Sequence, residues 1–163
     1  MNYGTIYTLP FRSRKEDSCL VEIQKEDYTG QVTELTGSGE APFSIEIADD
    51  DFLYVPVRFS TATIRVVGTD YLQSLYSTGY RQYRVIFKRS GIVTWCGFIK
   101  PELYTQDYSG TIFELELECI SAMSVLEYID YKIKNEAEKG FVTLWELLTR
   151  CVSESRGCYS NVY

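Results

Sequence analysis

The chain contains no histidine. Its absence removes the usual general base, the usual partner of a nucleophilic serine or cysteine, and the commonest zinc ligand. Phosphate-cradling patterns are missing as well, since neither a P-loop nor a GxGxxG run occurs. We therefore predict that the protein is not an enzyme and that it has no catalytic residues, no metal and no cofactor.

The sequence also lacks long apolar runs. No segment offers the roughly 20 consecutive apolar residues that span a bilayer, and the first residues lack the basic-then-apolar order of a secretory signal. Acidic side chains outnumber basic ones by 23 to 16, and the resulting net charge of -7 repels phosphate and anionic lipid. We expect neither a nucleic-acid nor a membrane partner, and a chain that is soluble and cytoplasmic at synthesis.

Cysteines are few and irregularly spaced. The five occur at positions 19, 96, 119, 151 and 158, without a CxxC or any other metal-ligand spacing. Three of them lie inside apolar strand patterns. Buried reduced thiols are therefore favoured over a disulfide framework. At 163 residues the chain is long enough to bury a core without disulfides.

Apolar and polar residues alternate with period two almost everywhere up to residue 121, a pattern that predicts half-buried strands. The Ser-Gly dipeptide between YRQYRVIFKR and IVTWCGFI predicts a two-residue hairpin. Residues 1–121 are therefore expected to form an antiparallel barrel or sandwich of about eight to ten strands. The apolar faces of three of these strands carry Cys19, Val21, Ile23, Phe43, Ile45, Ile47, Phe113, Leu115, Leu117 and Cys119.

Helical spacing interrupts and then replaces this alternation. A short mid-chain helix is expected after Asp70, which suits an N-cap. From 122 to 163 we predict helices, the first with Met123, Leu126 and Ile129 on one face, which makes the fold mainly β, or α+β by content. We expect this segment either to pack on the β domain or to lead into a region that is absent from this chain. We also expect the natural protein to continue past residue 163. The second helix has Thr143 and Glu146 as a capping box and an apolar stripe of Leu144, Leu147, Leu148 and Cys151.

Two acidic clusters are candidates for chemistry. Glu114, Glu116 and Glu118 share one strand face, where neighbours lie about 7 Å apart, a spacing compatible with glycosidase acid and base. A solvated outer sheet face explains the same residues and is favoured. The three aspartates at 49–51 offer oxygen ligands for Ca²⁺, but consecutive acids are more typical of a turn.

Tyrosine is abundant, with 14 copies against 8 phenylalanines and 2 tryptophans. Its apolar face and polar tip suit strands, sugar stacking and protein interfaces. Tyr104 and Tyr108 lie beside Glu102 and Asp107 in a stretch with no evident core role. This aromatic and acidic loop, 102–108, is best explained as a contact surface.

Several segments together resemble a known family. WCGFIKPELYTQDY, preceded by SLYSTGYRQYRVIF and followed by FELELECISAMSVLEYIDY, is similar to the N-terminal region of tail proteins from phages and prophages of Bacteroidetes. The runs VEIQKEDYTGQVTELTGSGEAPFSIEI and YVPVRFSTATIRVV fit the same pattern, so the resemblance covers nearly the whole chain.

The resemblance implies a baseplate hub or distal-tail component that acts by assembly. Its partners would be further copies, in a trimer or hexamer, and other tail proteins, and it would reside in the virion tail after assembly. Gly97 would let a backbone approach or a strand bend, and Pro101 would end the ladder so that the loop projects. The candidate interface residues are Trp95, Gly97, Phe98, Pro101, Glu102, Tyr104, Asp107 and Tyr108.

Two other functions remain open at this point. A glycan-binding β module would use Trp95, Tyr104 and Tyr108 as stacking platforms for sugar rings. A glycan-cleaving enzyme would use the row of three glutamates.

Overall fold

The computed structural model describes residues 2–39, 41–47, 59–68, 73–101, 113–131 and 142–159. Within these ranges the chain forms nine strands, two short 3-10 turns and one α-helix near the C-terminus, which confirms the predicted mainly-β fold class. The elements are β1 (Tyr3–Arg12), β2 (Ser18–Glu26), β3 (Thr33–Glu34), β4 (Thr36–Gly37), β5 (Phe43–Ile47), β6 (Ser60–Gly68), β7 (Tyr83–Arg89), β8 (Ile92–Ile99), β9 (Phe113–Ser121) and α1 (Leu144–Glu154).

The strands form one sheet that curls into a nearly closed barrel. Their order is β3-β1-β2-β7-β8-β9-β6-β4, and β5 also pairs with β6. All pairings are antiparallel except that of β1 with β3. The segment that holds β3 and β4 connects the two ends of the sheet, because β3 pairs with β1 and β4 pairs with β6. Leu35, between them, is buried, and its N–H donates to the Thr8 carbonyl at 2.7 Å.

The barrel interior is filled by the alternating apolar residues that the sequence pattern predicts. Each strand points every second side chain inward, so one apolar stripe per strand is enough to build the core. Aromatic rings gather at one part of it, where the Phe43 ring lies 4.7 Å from that of Phe87 and 5.8 Å from that of Trp95, centre to centre. Fully buried core residues include Leu9, Val21, Ile23, Ile64, Val66, Val85, Ile99, Leu117 and Cys119.

The predicted hairpin between β7 and β8 is confirmed. Ser90 and Gly91 form its two-residue turn with φ angles of 50° and 81°, as a turn that matches the twist of antiparallel strands requires. The register pairs Arg89 with Ile92 and shifts by one residue between Phe87 and Lys88. The shift is a β-bulge, which adds local twist to the strand pair.

Gly97 serves the close approach of two strands. A Cβ atom built on it would overlap the carbonyl oxygen of Ile120, in the neighbouring β9, and the indole ring of Trp95. The two strands pair directly here, with Gly97 opposite Ser121. Of the two roles expected for this glycine, the structure therefore supports the approach of another backbone.

Strand β5 departs from the predicted burial. Phe43 is buried, but Ile45 and Ile47 are exposed although the alternation placed all three on one apolar face. The reason is tertiary, because β4 covers the edge of β6 only at Val66 and Val67, whereas β5 runs along the other end of that edge, toward Ser60. The outer part of β5 therefore lies beyond the point where the barrel closes.

The helix predicted just after residue 122 is a short 3-10 turn, and the prediction of its buried face is wrong. Ser124–Tyr128 forms a 3-10 turn, and the fully buried side chain is Val125, not Leu126. Val125 packs with Phe98, Ile120 and Ala122 in a second small core on the outer side of the sheet. The mid-chain helix is likewise a single 3-10 turn, Gln73–Leu75, and Asp70 lies outside the described residues.

The C-terminal helix α1 begins where the capping box predicts. Thr143 Oγ1 accepts from the Glu146 N–H at 3.2 Å, and the Glu146 carboxylate accepts from the Thr143 N–H at 3.1 Å. This reciprocal pair satisfies two of the amide groups that a helix leaves free at its start. At 11 residues, α1 is too short to cross a bilayer, and no other helix in the described part of the chain is long and apolar enough to do so.

The expectation that all cysteines are reduced is wrong for one pair. Cys96, on the outer face of β8, forms a disulfide with Cys158, which follows α1. Cys19 and Cys119 are free and buried, as predicted, and Cys151 is free and half-buried. Burial raises the pKa of the Cys119 thiol well above its usual range, so this side chain acts as a small apolar group.

Candidate functional site

The predicted interface residues on β8 lie in the interior. Trp95 is buried in the barrel and donates its indole N–H to Ser60 Oγ at 2.9 Å. Phe98 points out of the barrel but is fully buried under Val125. From Trp95 to Ile99 both faces of β8 are therefore covered, and Trp95 and Phe98 contribute to packing. As a buried side chain, Trp95 does not offer the stacking surface that a glycan-binding module would need.

The rest of the predicted interface follows the end of β8. Pro101 is half-buried and lies two residues beyond the strand end at Ile99. Glu102, Tyr104, Asp107 and Tyr108 lie outside the described residues, as do the aspartates at 49–51. Their roles as contact residues or ligands stay predictions.

The glutamate row on β9 faces outward, and each carboxylate has a neighbour. Glu116 pairs with Arg65 at 2.9 Å, Glu118 pairs with Lys100 at 3.3 Å, and Glu114 accepts a hydrogen bond from Ser38. Leu115 and Leu117, between them, point into the core. These cross-strand contacts favour the interpretation of the row as the outer face of the sheet.

The most exposed apolar surface of the described residues is on α1. We call Leu144, Trp145, Leu147 and Leu148 the helix face. Their exposed fractions run from 41 % for Leu147 to 71 % for Leu144, and no residue of α1 is fully buried. The four occupy positions i, i+1, i+3 and i+4, so they form one continuous apolar stripe. The predicted stripe of Leu144, Leu147, Leu148 and Cys151 was expected to pack on the sheet or on a region beyond this chain. In the described part of the chain its three leucines are exposed and Cys151 is half-buried.

The C-terminal end of α1 is tied to the barrel, which leaves the helix face clear of it. Glu154 forms an ion pair with Arg81, and Ser155, just after the helix, is completely buried. The disulfide of Cys158 follows three residues later. The helix face therefore remains exposed, although the residues just after α1 are anchored to the barrel.

A second apolar feature of the surface is a cleft beside the C-terminal end of β5, near Ile47. It has a volume of about 340 Å³. Its apolar walls include Ile47, Phe59 and Tyr128, each about half exposed, and Glu46 and Glu127 also line it. We call it the apolar cleft. It shares no residue with the helix face.

The sequence predicted the three leucines of the helix face but neither Trp145 nor the apolar cleft. The heptad-like spacing of the leucines was a direct local signal for α1. The cleft instead joins the end of β5, the start of β6 and the 3-10 turn at Ser124–Tyr128, which are far apart in sequence. No local sequence pattern indicates that these three segments come together in the fold.

Comparisons of this chain with protein-family models, with curated proteins and with solved structures give no match in any of the three.

Proposed function

We propose that this protein is a structural component that works by self-assembly, and that it belongs to a phage or prophage tail as a baseplate hub or distal-tail protein. The assembly proposal rests on one observation: the same molecule has an exposed apolar helix face and, elsewhere on its surface, an apolar cleft. The tail assignment is supported by the sequence resemblance.

The occupant we assign to the apolar cleft is the helix face of a second copy. Docking an amphipathic helix into an apolar groove is a common way for proteins to associate. Because the two surfaces have no residue in common, the contact is head-to-tail, and such contacts close into rings when the rotation between copies permits. A trimer or hexamer is the expected product.

The size of the helix face suits the centre of such an interface. Four large side chains of on the order of 150 Å² each, about half exposed, offer roughly 300 Å² of apolar surface. A stable interface buries about 800 Å² per partner, with an apolar centre and a polar rim. The helix face is thus large enough for the centre, and surrounding polar surface would supply the rim.

Sedimentation velocity over a range of concentrations tests the assembly. The wild type should form oligomers, and Trp145→Glu or Phe59→Glu should each weaken association by roughly 30-fold, the loss typical of a central aromatic contact. Ile92→Glu is the matched control, because Ile92 is an exposed isoleucine at the β7–β8 hairpin. A wild type that stays monomeric at high concentration, or a control as damaging as the other two, would refute the proposal.

Immunogold labelling of particles released by an induced culture of the source bacterium tests the tail assignment separately. Label at one end of tailed particles is expected. Tailed particles without label, with the antigen on the cell instead, would remove the tail assignment while leaving self-assembly open to the measurement above.

A further inference from the structure

A polar cleft of about 420 Å³ lies where the segment after α1 meets the start of β1 and β7. We call it the arginine cleft. Two guanidinium groups dominate its chemistry, in a chain whose net charge is -7. Its lining residues are Asn2, Tyr3, Arg84, Ser153, Arg156 and Gly157.

Arg84 is half-buried and has no carboxylate partner among the described residues. Its Nε and Nη2 donate to Gln24 Oε1 at 2.9 and 2.6 Å, and its Nη1 donates to the Arg156 carbonyl at 2.7 Å. The guanidinium also lies 4.5 Å from the centre of the Tyr3 ring. Burial lowers the pKa of Arg84, and the nearby Tyr3 and Glu22 offset this only in part. All of its hydrogen-bond acceptors are neutral, so its positive charge is not balanced by direct contact.

Arg156 has one carboxylate partner and donors to spare. Its Nη1 donates to Glu26 Oε2 at 2.9 Å and to the Tyr3 hydroxyl at 3.3 Å. Burial lowers the pKa of Arg156, but the bonds to Tyr3 and Glu26 outweigh that effect and the pKa is raised. Its Nε and Nη2 have no acceptor in the described part of the chain. Among the described residues, the only carboxylate in direct contact with either guanidinium is that of Glu26, which bonds to Arg156.

We propose that the arginine cleft binds a small oxyanion, a carboxylate or a phosphate, between Arg84 and Arg156. Planar guanidinium groups bind such anions through paired, charge-assisted hydrogen bonds. Asn2 and Ser153 line the same cleft, and the side chains of both carry hydrogen-bond donors. An anion here would balance the charge of Arg84 and bridge the barrel to the segment that follows α1.

Titrations followed by amide NMR shifts test the site, with inorganic phosphate and succinate as separate probes at constant ionic strength. Saturable shifts confined to residues around the arginine cleft are expected with at least one probe, and the two titrations distinguish phosphate from carboxylate as the ligand. Arg84→Gln should weaken binding about tenfold or more, because it removes charge-assisted bonds.

Two further variants keep the test decisive if Arg84→Gln does not fold. Asn2→Asp changes an exposed residue of the arginine cleft, and its added negative charge should also weaken binding about tenfold. Arg65→Gln makes the same charge change as Arg84→Gln on the outer face of β6, where Arg65 pairs with Glu116, and should leave binding unchanged. The proposal fails if neither probe gives saturable shifts, or if Arg65→Gln and Asn2→Asp weaken binding equally.

Discussion

The carbonyl oxygen of Ile120 occupies the space that a Cβ atom on Gly97 would need. The obstacle is backbone, held by the pairing of β8 with β9, so it cannot turn aside as a side chain would. The glycine of the WCGFIKP motif, within β8, is therefore explained by the close packing of β8 against β9.

Replacing that glycine should destabilise the fold. Overpacking a tight core typically costs about 1–3 kcal/mol. We expect Gly97→Ala to lower the free energy of unfolding by an amount near the upper end of that range. Denaturant unfolding measures the change. Gly79→Ala is the control, because a Cβ there meets no atom within 4 Å and should change stability by less than about 0.5 kcal/mol. Equal losses in the two variants would contradict the close approach.

The bond between Cys96 and Cys158 should be a main tether of the C-terminal segment. The cross-link closes a loop with a sequence separation of 62, and removing one of this kind typically costs about 2–4 kcal/mol. Cys158→Ser should therefore lower stability by that amount and speed amide exchange in α1, whereas Cys151→Ser, at a free cysteine, should do neither. Alkylation of the denatured, non-reduced protein should label three of the five cysteines; five labelled cysteines would show that the bond is absent.

The ion pair of Asp17 with Arg89 should be visible in the titration of the aspartate. Arg89 donates from Nε at 2.9 Å and from Nη2 at 2.5 Å, and these hydrogen bonds hold the pKa of Asp17 below its usual value. The pair therefore contributes stability above about pH 4, the unfolded pKa, and loses it as the pH falls through the lower folded pKa. NMR titration should show that Arg89→Gln raises the pKa of Asp17, while Arg12→Gln leaves it unchanged. No rise in the Arg89 variant would disprove the assignment.

The capping box should govern the start of α1. Thr143→Ala removes the hydroxyl that accepts from the Glu146 N–H, and we expect it to destabilise the helix by about 1 kcal/mol. Hydrogen exchange of the first-turn amides measures the effect. Thr149→Ala is the control, since that hydroxyl donates to the Trp145 carbonyl one turn back in the helix, and such bonds do not stabilise helices. Faster exchange in the control would count against the cap.

Features set by neighbouring residues were predictable from the sequence. The alternation of β2, the Ser90–Gly91 hairpin and the capping box of α1 each depend on chemistry within a few positions. Features that need distant segments to meet were not predictable. Cys96 and Cys158 form a bond that no spacing rule signals, and Ile47 is exposed only because the barrel closes elsewhere.

The candidate site divides in the same way. The apolar stripe of α1 could be predicted from the spacing of its leucines. Its exposure could not, because exposure depends on where the tertiary structure places the helix. Trp95 carried the signal of a contact residue, and the structure buries it, since an aromatic in a strand serves a core equally well.

The assembly proposal is tested most directly by locating the contact itself. A photo-crosslinking amino acid at position 145, in a mixture of isotope-labelled and unlabelled protein, separates links between copies from links within one chain by mass. We predict links from position 145 of one copy to the segment around Phe59 or Tyr128 of another. Links found only within one chain, or to surfaces away from the apolar cleft, would contradict the docking of the helix face into that cleft.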